Sequence, residues 1–308
     1  MPCLPSLYRG RFAPSPTGPL HFGSLVAAVG SYLEAKTRGG EWRVRMEDLD
    51  RPRVAPGAAE AILRALEAFG FEWDAEVVYQ SRRQDAYHAA LHLLEARGAL
   101  YACACSRREI ADSALRGIEG PVYPGTCRRG VARSRRPRAL RVRTHPEPVA
   151  FDDAIQGFVE QRLERDVGDF VVYRADHSYA YQLAVVVDDA LQGITDVVRG
   201  ADLLASTPRQ IHLQRLLGLP TPRYAHLPVA VNAAGEKLSK QTRAAPVDAT
   251  RGPALLVAAL AFLGQCPPAA LARADVGTVW QWARSHWRLE RVPRKPAAPA
   301  YMGTGSPL

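Results

Sequence analysis

The hydrophobic pattern of the chain alternates between short strand-like runs and longer segments with helical spacing. The predicted strands cover residues 8–13, 42–46, 169–173, 179–187, 194–200 and 228–231. The predicted helices begin near Leu20 and at about 57, 82, 202 and 255, and the last four end near 69, 97, 217 and 263. Apolar strands that alternate with helices are typical of a buried parallel sheet. The predicted fold class is therefore α/β, with a doubly wound, Rossmann-like parallel sheet.

The order of these segments predicts one interrupted domain with additions. The first strand–helix–strand unit ends before residue 75 and the second begins near residue 169. We expect a catalytic domain made of residues 1–75 and 169–247, with residues 76–168 inserted as a knuckle-bearing subdomain. Residues 248–292 are predicted to form a small helical appendage with a tryptophan patch packed on the main body. The Pro-, Gly- and Ala-rich residues 293–308 are predicted to be a disordered tail.

Composition narrows the class of protein. The 47% of hydrophobic residues suffices for a core, no apolar run is long enough to span a bilayer, and the N-terminus lacks the order of a signal peptide. A cytoplasmic protein without a membrane partner is expected. The net charge of +9 favours a polyanionic partner, although many basic proteins bind no nucleic acid. Arginine dominates, because lysines occur at four positions, Lys36, Lys237, Lys240 and Lys295.

Residues 11–24 run from a strand through a Pro/Gly turn into a helix. A strand that feeds a helix N-terminus in this way can bind phosphate, because free N–H groups and the positive end of the helix dipole converge there. His21 and Gly23 are predicted in the first helical turn. Gly23 leaves room for a ligand and His21 can donate a hydrogen bond to it. An ordinary strand–helix unit is the alternative.

Two polar segments follow predicted strands. Glu47 lies at the C-terminal end of the second strand, where open α/β sheets bind ligands, and its carboxylate could receive an ammonium group; a surface acidic loop is the alternative. Lys237 and Lys240 lie three residues apart in a polar turn. Two ammonium groups on a mobile loop suit the β- and γ-phosphates of a nucleotide. The scarcity of lysine argues against a merely exposed basic loop.

The predicted insertion carries Cys103, Cys105 and Cys127. Three cysteines so close together in a cytosolic chain favour zinc over a disulfide framework, with buried free thiols as the alternative. Tyr123 or a water would complete the tetrahedron. Residues 128–143, with eight arginines, could track a phosphate backbone; a solvated loop is the alternative.

Two motifs resemble the signatures of the class I aminoacyl-tRNA synthetases. Residues 14–24, Pro-Ser-Pro-Thr-Gly-Pro-Leu-His-Phe-Gly-Ser, are similar to the HIGH motif of that family, with Ser24 in place of the second histidine. Residues 237–241, Lys-Leu-Ser-Lys-Gln, are similar to its KMSKS loop, with Leu238 in place of methionine. The resemblance implies the Rossmann-like catalytic fold of the class.

Three further motifs, at residues 11–18, 45–50 and 198–202, look like the glutamyl branch of this class. A glutamyl-tRNA synthetase carries a substantial C-terminal anticodon-binding domain, whereas few residues follow the lysine loop here. A short chain with a Cys-x-Cys knuckle is similar to the glutamyl-Q tRNA(Asp) synthetase family. Members of that family activate L-glutamate with ATP without tRNA, and then attach it to the queuosine base in the anticodon of tRNA(Asp).

The resemblance implies roles for the matched residues. The glutamate-binding set would be Arg11, Ser15, Glu47, Tyr181 and Arg199. The ATP-binding set would be His21, Gly23, Ser24, Lys237, Ser239 and Lys240. Catalysis would fall to His21, Lys237 and Lys240. One structural Zn²⁺ would be held by Cys103, Cys105, Tyr123 and Cys127, and Mg²⁺ would accompany ATP. A monomer is expected. The alternatives are a truncated glutamyl-tRNA synthetase that charges a tRNA 3′ end and a catalytically inactive, RNA-binding paralogue.

Overall fold

The computed structural model describes residues 7–111, 116–117, 120–232, 234–238, 245–302 and 306–307. In this part of the chain the helices are α1 (Phe22–Thr37), α2 (Ala58–Ala68), α3 (Gln84–Ala96), α4 (Arg107–Ala111), α5 (Leu163–Asp166), α6 (Tyr181–Leu191), α7 (Thr207–Leu217), α8 (Gly252–Phe262) and α9 (Val276–His286). The strands of the main body are β1 (Arg9–Phe12), β2 (Glu41–Met46), β3 (Val78–Tyr79), β4 (Leu100–Cys103), β5 (Arg116–Gly117), β6 (Gly120–Pro121), β7 (Ala139–Val142), β8 (Val149–Asp153), β9 (Gly157–Gln161), β10 (Val171–Tyr173), β11 (Asp196–Gly200), β12 (Arg223–Leu227) and β13 (Val229–Val231). Near the C-terminus lie β14 (Ala297–Pro299), β15 (Tyr301–Met302) and β16 (Ser306–Pro307).

Two sets of parallel strands form the centre of the molecule. β1, β2 and β3 are parallel neighbours, and so are β11, β12 and β8, with β9 antiparallel at the edge. Thr195 N, just before β11, donates to Arg9 O of β1 at 3.0 Å, which places the two sets side by side. The predicted α/β class with parallel strands is confirmed.

The two faces of β2 explain how helices cover both sides of the strands. Trp42, Val44 and Met46 are fully buried in the same hydrophobic core as α1. The intervening arginines point to the opposite face, where Arg43 Nη1 donates to Gln192 O at 2.9 Å and Arg45 Nη1 donates to Asp189 Oδ1 at 2.8 Å. On this second face, charged side chains of β2 pack against α6 and against Gln192, the residue that follows it.

The predicted strand at residues 179–187 is wrong, because α6 begins at Tyr181 in the middle of that segment. Its residues Leu183 to Val187 are all buried, in a core shared with α3 and α7. A segment that is buried on nearly every side loses the periodicity that separates helix from strand, and β-branched content alone does not decide between them.

The region inserted between the strand sets has a sheet of its own, in which β4 and β10 flank β7 in antiparallel pairing. Its outline differs from the predicted 76–168. β8 pairs in parallel with β12 and so joins the second strand set, while α3 packs against α6 and α7. The insertion therefore shares a hydrophobic core with the catalytic half that follows it.

The C-terminal helices α8 and α9 pack against α1. Trp280 Nε1 donates to Phe69 O and Trp287 Nε1 donates to Glu34 Oε2, each at 2.8 Å, so these two tryptophans serve the core as expected. Part of the predicted disordered tail is ordered instead, because β14 pairs in parallel with β13 and Ala300 is buried. No helix in the described part of the chain is both long and apolar enough to cross a membrane.

Candidate active site

A cavity of about 560 Å³ opens where β1 and β2 end and α1 begins. Its volume is in the range of small-molecule sites, and its place at the carboxyl ends of parallel strands is where α/β sheets bind ligands. The predicted site residues among its lining are Ser15, His21, Gly23, Ser24, Glu47, Tyr181 and Lys237. The structure therefore brings predicted residues from four separate segments of the sequence to one cavity.

The N-terminus of α1 forms one side of this cavity. The helix begins at Phe22, so His21 is its N-cap and lies just before the first turn rather than within it. His21 Nδ1 accepts a hydrogen bond from Ser24 N at 3.2 Å, which assigns the ring proton of the neutral form to Nε2. A Cβ at Gly23 would lie 3.2 Å from the His21 ring and 3.3 Å from Leu238 O. Gly23 thus permits the close approach of these groups.

The segment that carries the lysines is anchored beside α1 at both ends. Leu238 N donates to Ala230 O at 2.8 Å, and further along Val247 N donates to Leu20 O at 2.9 Å. Lys237 Nζ forms an ion pair with Asp202 Oδ2 at 2.6 Å, a partner that the sequence analysis did not assign. Ser239 and Lys240 lie outside the described residues.

Arg11 and Arg199 lie behind the cavity wall rather than on it. Both side chains are buried, and Arg11 Nε donates to Asp189 Oδ1 at 3.2 Å. Tyr181 lies on the wall in front of them. The pKa of Tyr181 is raised to about 12, mainly by burial and also by the Glu47 carboxylate, while Arg199 and Arg11 oppose the change. The phenol is thus a neutral hydrogen-bonding group beside two guanidinium groups.

A buried layer of charge between the sheet and α6 supports these residues. Arg45 donates to Glu47 Oε1 at 3.2 Å and to Asp189 Oδ1 at 2.8 Å. Burial raises the pKa of Glu47, although Arg45 and Arg11 oppose the shift. Burial would also raise the pKa of Asp189, but the guanidinium groups of Arg11 and Arg45 hold it below its ordinary value. Glu47 is thus paired with Arg45 and also lines the cavity.

Arg199 has a second set of supporting residues that the sequence analysis missed. Its Nε donates to His226 Nε2 at 3.1 Å, and its Nη2 donates to Gln210 Oε1 at 2.8 Å. His226 Nδ1 lies 2.5 Å from Asp153 Oδ2. Asp153 and His226 are 73 residues apart, and nothing in the sequence links the two positions.

The predicted metal ligands also come together. The sulfur atoms of Cys103, Cys105 and Cys127 lie within 4.8 Å of one another. Cys105 Sγ is 3.6 Å from Cys127 Sγ, and the Tyr123 hydroxyl oxygen is 3.5 Å from Cys103 Sγ and 3.7 Å from Cys105 Sγ. A tetrahedral zinc with bonds of about 2.3 Å to sulfur and about 2.0 Å to oxygen gives S···S near 3.8 Å and S···O near 3.5 Å. The three thiols are therefore compatible with a tetrahedral zinc site, and the Tyr123 hydroxyl lies close enough to be its fourth donor.

The arginine-rich residues 128–143 divide into two groups. One group is held by neighbouring side chains: Arg128 forms an ion pair with Asp169 at 2.9 Å, and the Arg141 guanidinium lies 3.8 Å from the centre of the Tyr123 ring. The exposed group consists of Arg129, Arg133, Arg136 and Arg138. The predicted contact with a phosphate backbone is therefore assigned to the exposed group.

Comparison with known proteins places this fold and site in a class. The family described as tRNA synthetases class I (E and Q), catalytic domain, matches residues 8–255. The solved glutamate-tRNA synthetase from Elizabethkingia anophelis superimposes with a TM-score of 0.78 over 96% of this chain and 68% of that one, at 24% identity, which shows the shared fold.

Relatives that match over nearly their whole length identify the family within this class. The chain is 65% identical over 292 residues to the glutamyl-Q tRNA(Asp) synthetase of Dechloromonas aromatica (strain RCB), covering 94% of this chain and 97% of that protein. It is 61% identical over 293 residues to the protein of the same name from Aromatoleum aromaticum, covering 95% and 93%. The chain belongs to the glutamyl-Q tRNA(Asp) synthetase family, within the class I synthetase-like ligases.

Proposed function

We propose that this enzyme activates L-glutamate with ATP in the absence of RNA and then transfers the glutamyl group to the queuosine base in the anticodon of tRNA(Asp). The observation that carries the first half is Arg199, a buried guanidinium whose Nη1 has no hydrogen-bond partner among the described residues. It lies behind a cavity bounded by the N-terminus of α1. The second half is supported by the names of its relatives.

The glutamate half-site combines two arginines and an acid. Arg11, Tyr181 and Arg199 bind the side-chain carboxylate, because a guanidinium matches a planar carboxylate with paired N–H donors. Ser15 and Glu47 bind the ammonium group. Burial raises the pKa of the Glu47 carboxyl, and a bound ammonium stabilises its charged form. The side-chain carboxylate of glutamate thus meets cationic groups, and its ammonium meets an anionic one.

The ATP half-site is the N-terminus of α1 together with the lysine segment. An α-carboxylate oxygen of glutamate attacks the α-phosphorus, and the bond to the pyrophosphate oxygen breaks. The carboxylate is already ionised at neutral pH and needs no general base, so positioning and charge stabilisation carry the rate. His21, Gly23 and Ser24 contact the triphosphate, which arrives with Mg²⁺. Lys237, Ser239 and Lys240 stabilise the pyrophosphate as it leaves.

Transfer follows by attack on the activated carbonyl. A hydroxyl oxygen of the queuosine cyclopentene ring bonds to the glutamyl carbonyl carbon, the bond to the AMP oxygen breaks, and the hydroxyl proton is lost. The exposed arginines within residues 128–143 are placed to contact the RNA backbone. We assign this contact with RNA to the inserted subdomain. The zinc-binding residues Cys103, Cys105, Tyr123 and Cys127 hold that subdomain together, and zinc supplies structure there rather than chemistry.

The test is pyrophosphate exchange into ATP with purified protein. Exchange is expected with L-glutamate and no RNA. A requirement for tRNA would instead indicate a glutamyl-tRNA synthetase that charges a 3′ end, and no exchange under either condition would indicate an inactive RNA-binding paralogue. Mass spectrometry of anticodon fragments of tRNA(Asp) after reaction locates the glutamyl group; its absence from queuosine would overturn the second half of the proposal.

A further inference from the structure

Arg199 is fixed on three of its five N–H donors. Its Nε donates to His226 Nε2 at 3.1 Å, while its Nη2 donates to Thr207 Oγ1 at 2.9 Å and to Gln210 Oε1 at 2.8 Å. The two donors of Nη1 are buried and have no partner in the described part of the chain. An unpaired buried donor is costly, yet the guanidinium is held with the hydrogen-bonding capacity of Nη1 unused.

His226 lies directly across from Arg199 in the parallel register of β11 and β12 and is fully buried. Its Nδ1 contacts Asp153 Oδ2 at 2.5 Å. The other oxygen, Oδ1, accepts hydrogen bonds from the backbone N–H groups of Ile155, Gln156 and His226, at 3.0, 2.8 and 3.0 Å. A carboxylate accepts only, so the imidazole proton is assigned to Nδ1 and Nε2 presents its lone pair to Arg199.

The neutral ring has an electrostatic consequence. The pKa of His226 is lowered to about 4, mainly by burial and also by the charge of Arg199, while the nearby Asp153 only partly opposes the change. Arg199 therefore receives an uncharged acceptor rather than a carboxylate. A carboxylate in direct contact with Arg199 would cancel the charge that a substrate carboxylate needs, and the imidazole keeps Asp153 one ring away.

We propose that Asp153 and His226 are positioning residues of the glutamate site, which fix the Arg199 guanidinium with Nη1 directed to the substrate's side-chain carboxylate. This inference rests on the proposed function. It adds two residues that contact neither substrate, and it assigns one tautomer of His226 to the working enzyme.

The sharpest test is Asp153→Asn, which keeps the shape of the side chain. The three backbone N–H groups require the amide oxygen at Oδ1, so the amide nitrogen replaces Oδ2 and donates to His226 Nδ1. The ring proton then moves to Nε2 and faces the Arg199 Nε–H, donor against donor. We expect the KM for glutamate in RNA-free exchange to rise about tenfold or more, with the KM for ATP within about twofold.

Two substitutions of His226 complete the test. His226→Leu removes the acceptor and should raise the KM for glutamate in the same way. His226→Gln places an amide oxygen near the Nε2 position and should recover most of the affinity. The matched controls are His212→Leu and His212→Gln, because His212 is also buried but bonds to Arg143 O at 2.8 Å; they should leave the KM for glutamate unchanged.

Two readouts do not depend on turnover. Calorimetric titration should show weaker glutamate binding by Asp153→Asn in proportion to its KM. ¹⁵N NMR of the histidine rings should show the Nδ1–H tautomer of His226 in the wild type and the Nε2–H tautomer in Asp153→Asn. A wild-type Nε2–H tautomer, or folded Asp153→Asn and His226→Leu proteins with unchanged glutamate affinity, would overturn the inference. Wild-type protein without glutamate-dependent exchange would instead defeat the proposed function.

Discussion

At the scale of single residues, the site depends on the buried partners of its arginines. Arg11 and Arg199 were predicted as ligands of glutamate, and the structure shows what holds each of them: Asp189 for Arg11 and His226 for Arg199. Sequence reasoning could reach the arginines because they belong to contiguous motifs. It could not reach their partners, because Arg11 and Asp189 are 178 residues apart and their contact arises only when α6 packs on the strands.

Removal of Asp189 should destabilise the fold. Asp189→Ala leaves Arg11 and Arg45 without a shared carboxylate in a buried layer, so we expect a loss of about 3 kcal/mol in the free energy of unfolding. Urea denaturation measures it. The pKa of Asp189 is below its ordinary value, so this stabilisation is present above the ordinary pKa and is lost as the pH falls through the folded-state value.

The control is Arg165→Ala, which breaks the exposed ion pair of Arg165 with Asp166 and should leave the unfolding midpoint unchanged. Equal midpoints for Asp189→Ala and the wild type would show that the buried layer contributes nothing to stability.

Lys240 provides a second test at the residue scale. Lys240→Ala should lower the rate of glutamate-dependent exchange by orders of magnitude while calorimetric binding of glutamate survives, since the ammonium acts on pyrophosphate. Lys36→Ala is the matched control, because Lys36 is paired with Asp74 at 2.7 Å and does not line the cavity. Near-normal exchange by Lys240→Ala would remove the role assigned to it.

At the scale of elements, the predictions were most accurate where turn residues mark the ends. α2 and α3 begin and end within about three residues of the expected positions, and α1 begins within about three residues of its expected start. α6 was missed because its apolar residues are buried by neighbours on most sides, a condition that exists only in the folded molecule. The start of α1 was marked most clearly in the sequence, by the Pro/Gly turn before it. It is also the part of α1 to which we assign ATP binding.

Gly23→Ala tests that role. Alanine normally stabilises a helix by about 1 kcal/mol relative to glycine, but here its Cβ would lie 3.2 Å from the His21 ring. We expect a several-fold higher KM for ATP with no loss of melting temperature. Gly252→Ala in α8, where the nearest atom to an added Cβ is 3.4 Å away, should leave the KM unchanged. A higher KM for both variants would point to a general effect of the substitution.

At the scale of the whole molecule, the α/β class followed from the sequence. The outline of the insertion did not, since β8 crosses back to pair with β12. Nor did the packing of residues 297–300 against the body, because a Pro- and Ala-rich composition does not reveal that β13 offers an unpaired edge.

The stability of the region around Cys103, Cys105, Tyr123 and Cys127 should depend on bound metal. We expect one equivalent of zinc by mass spectrometric metal analysis, and a lower melting temperature after chelation, because binding at a structural zinc site contributes to folding. Cys105→Ser should lose the metal in the same way. Cys266→Ser is the control, since this cysteine is exposed and outside the cluster. Zinc-free protein with wild-type stability would disprove the site.

The buried charge layer also constrains how this protein can evolve. Arg11 and Arg45 donate to the same oxygen of Asp189, so any single replacement leaves an unmatched charge for the others. The effects of such neighbours are not additive, and each intermediate on the way to a tolerated combination is worse than either end. A lineage that changes its amino-acid substrate therefore passes through destabilised intermediates at this layer, whereas an exposed position outside the site, such as Arg165, can change one step at a time.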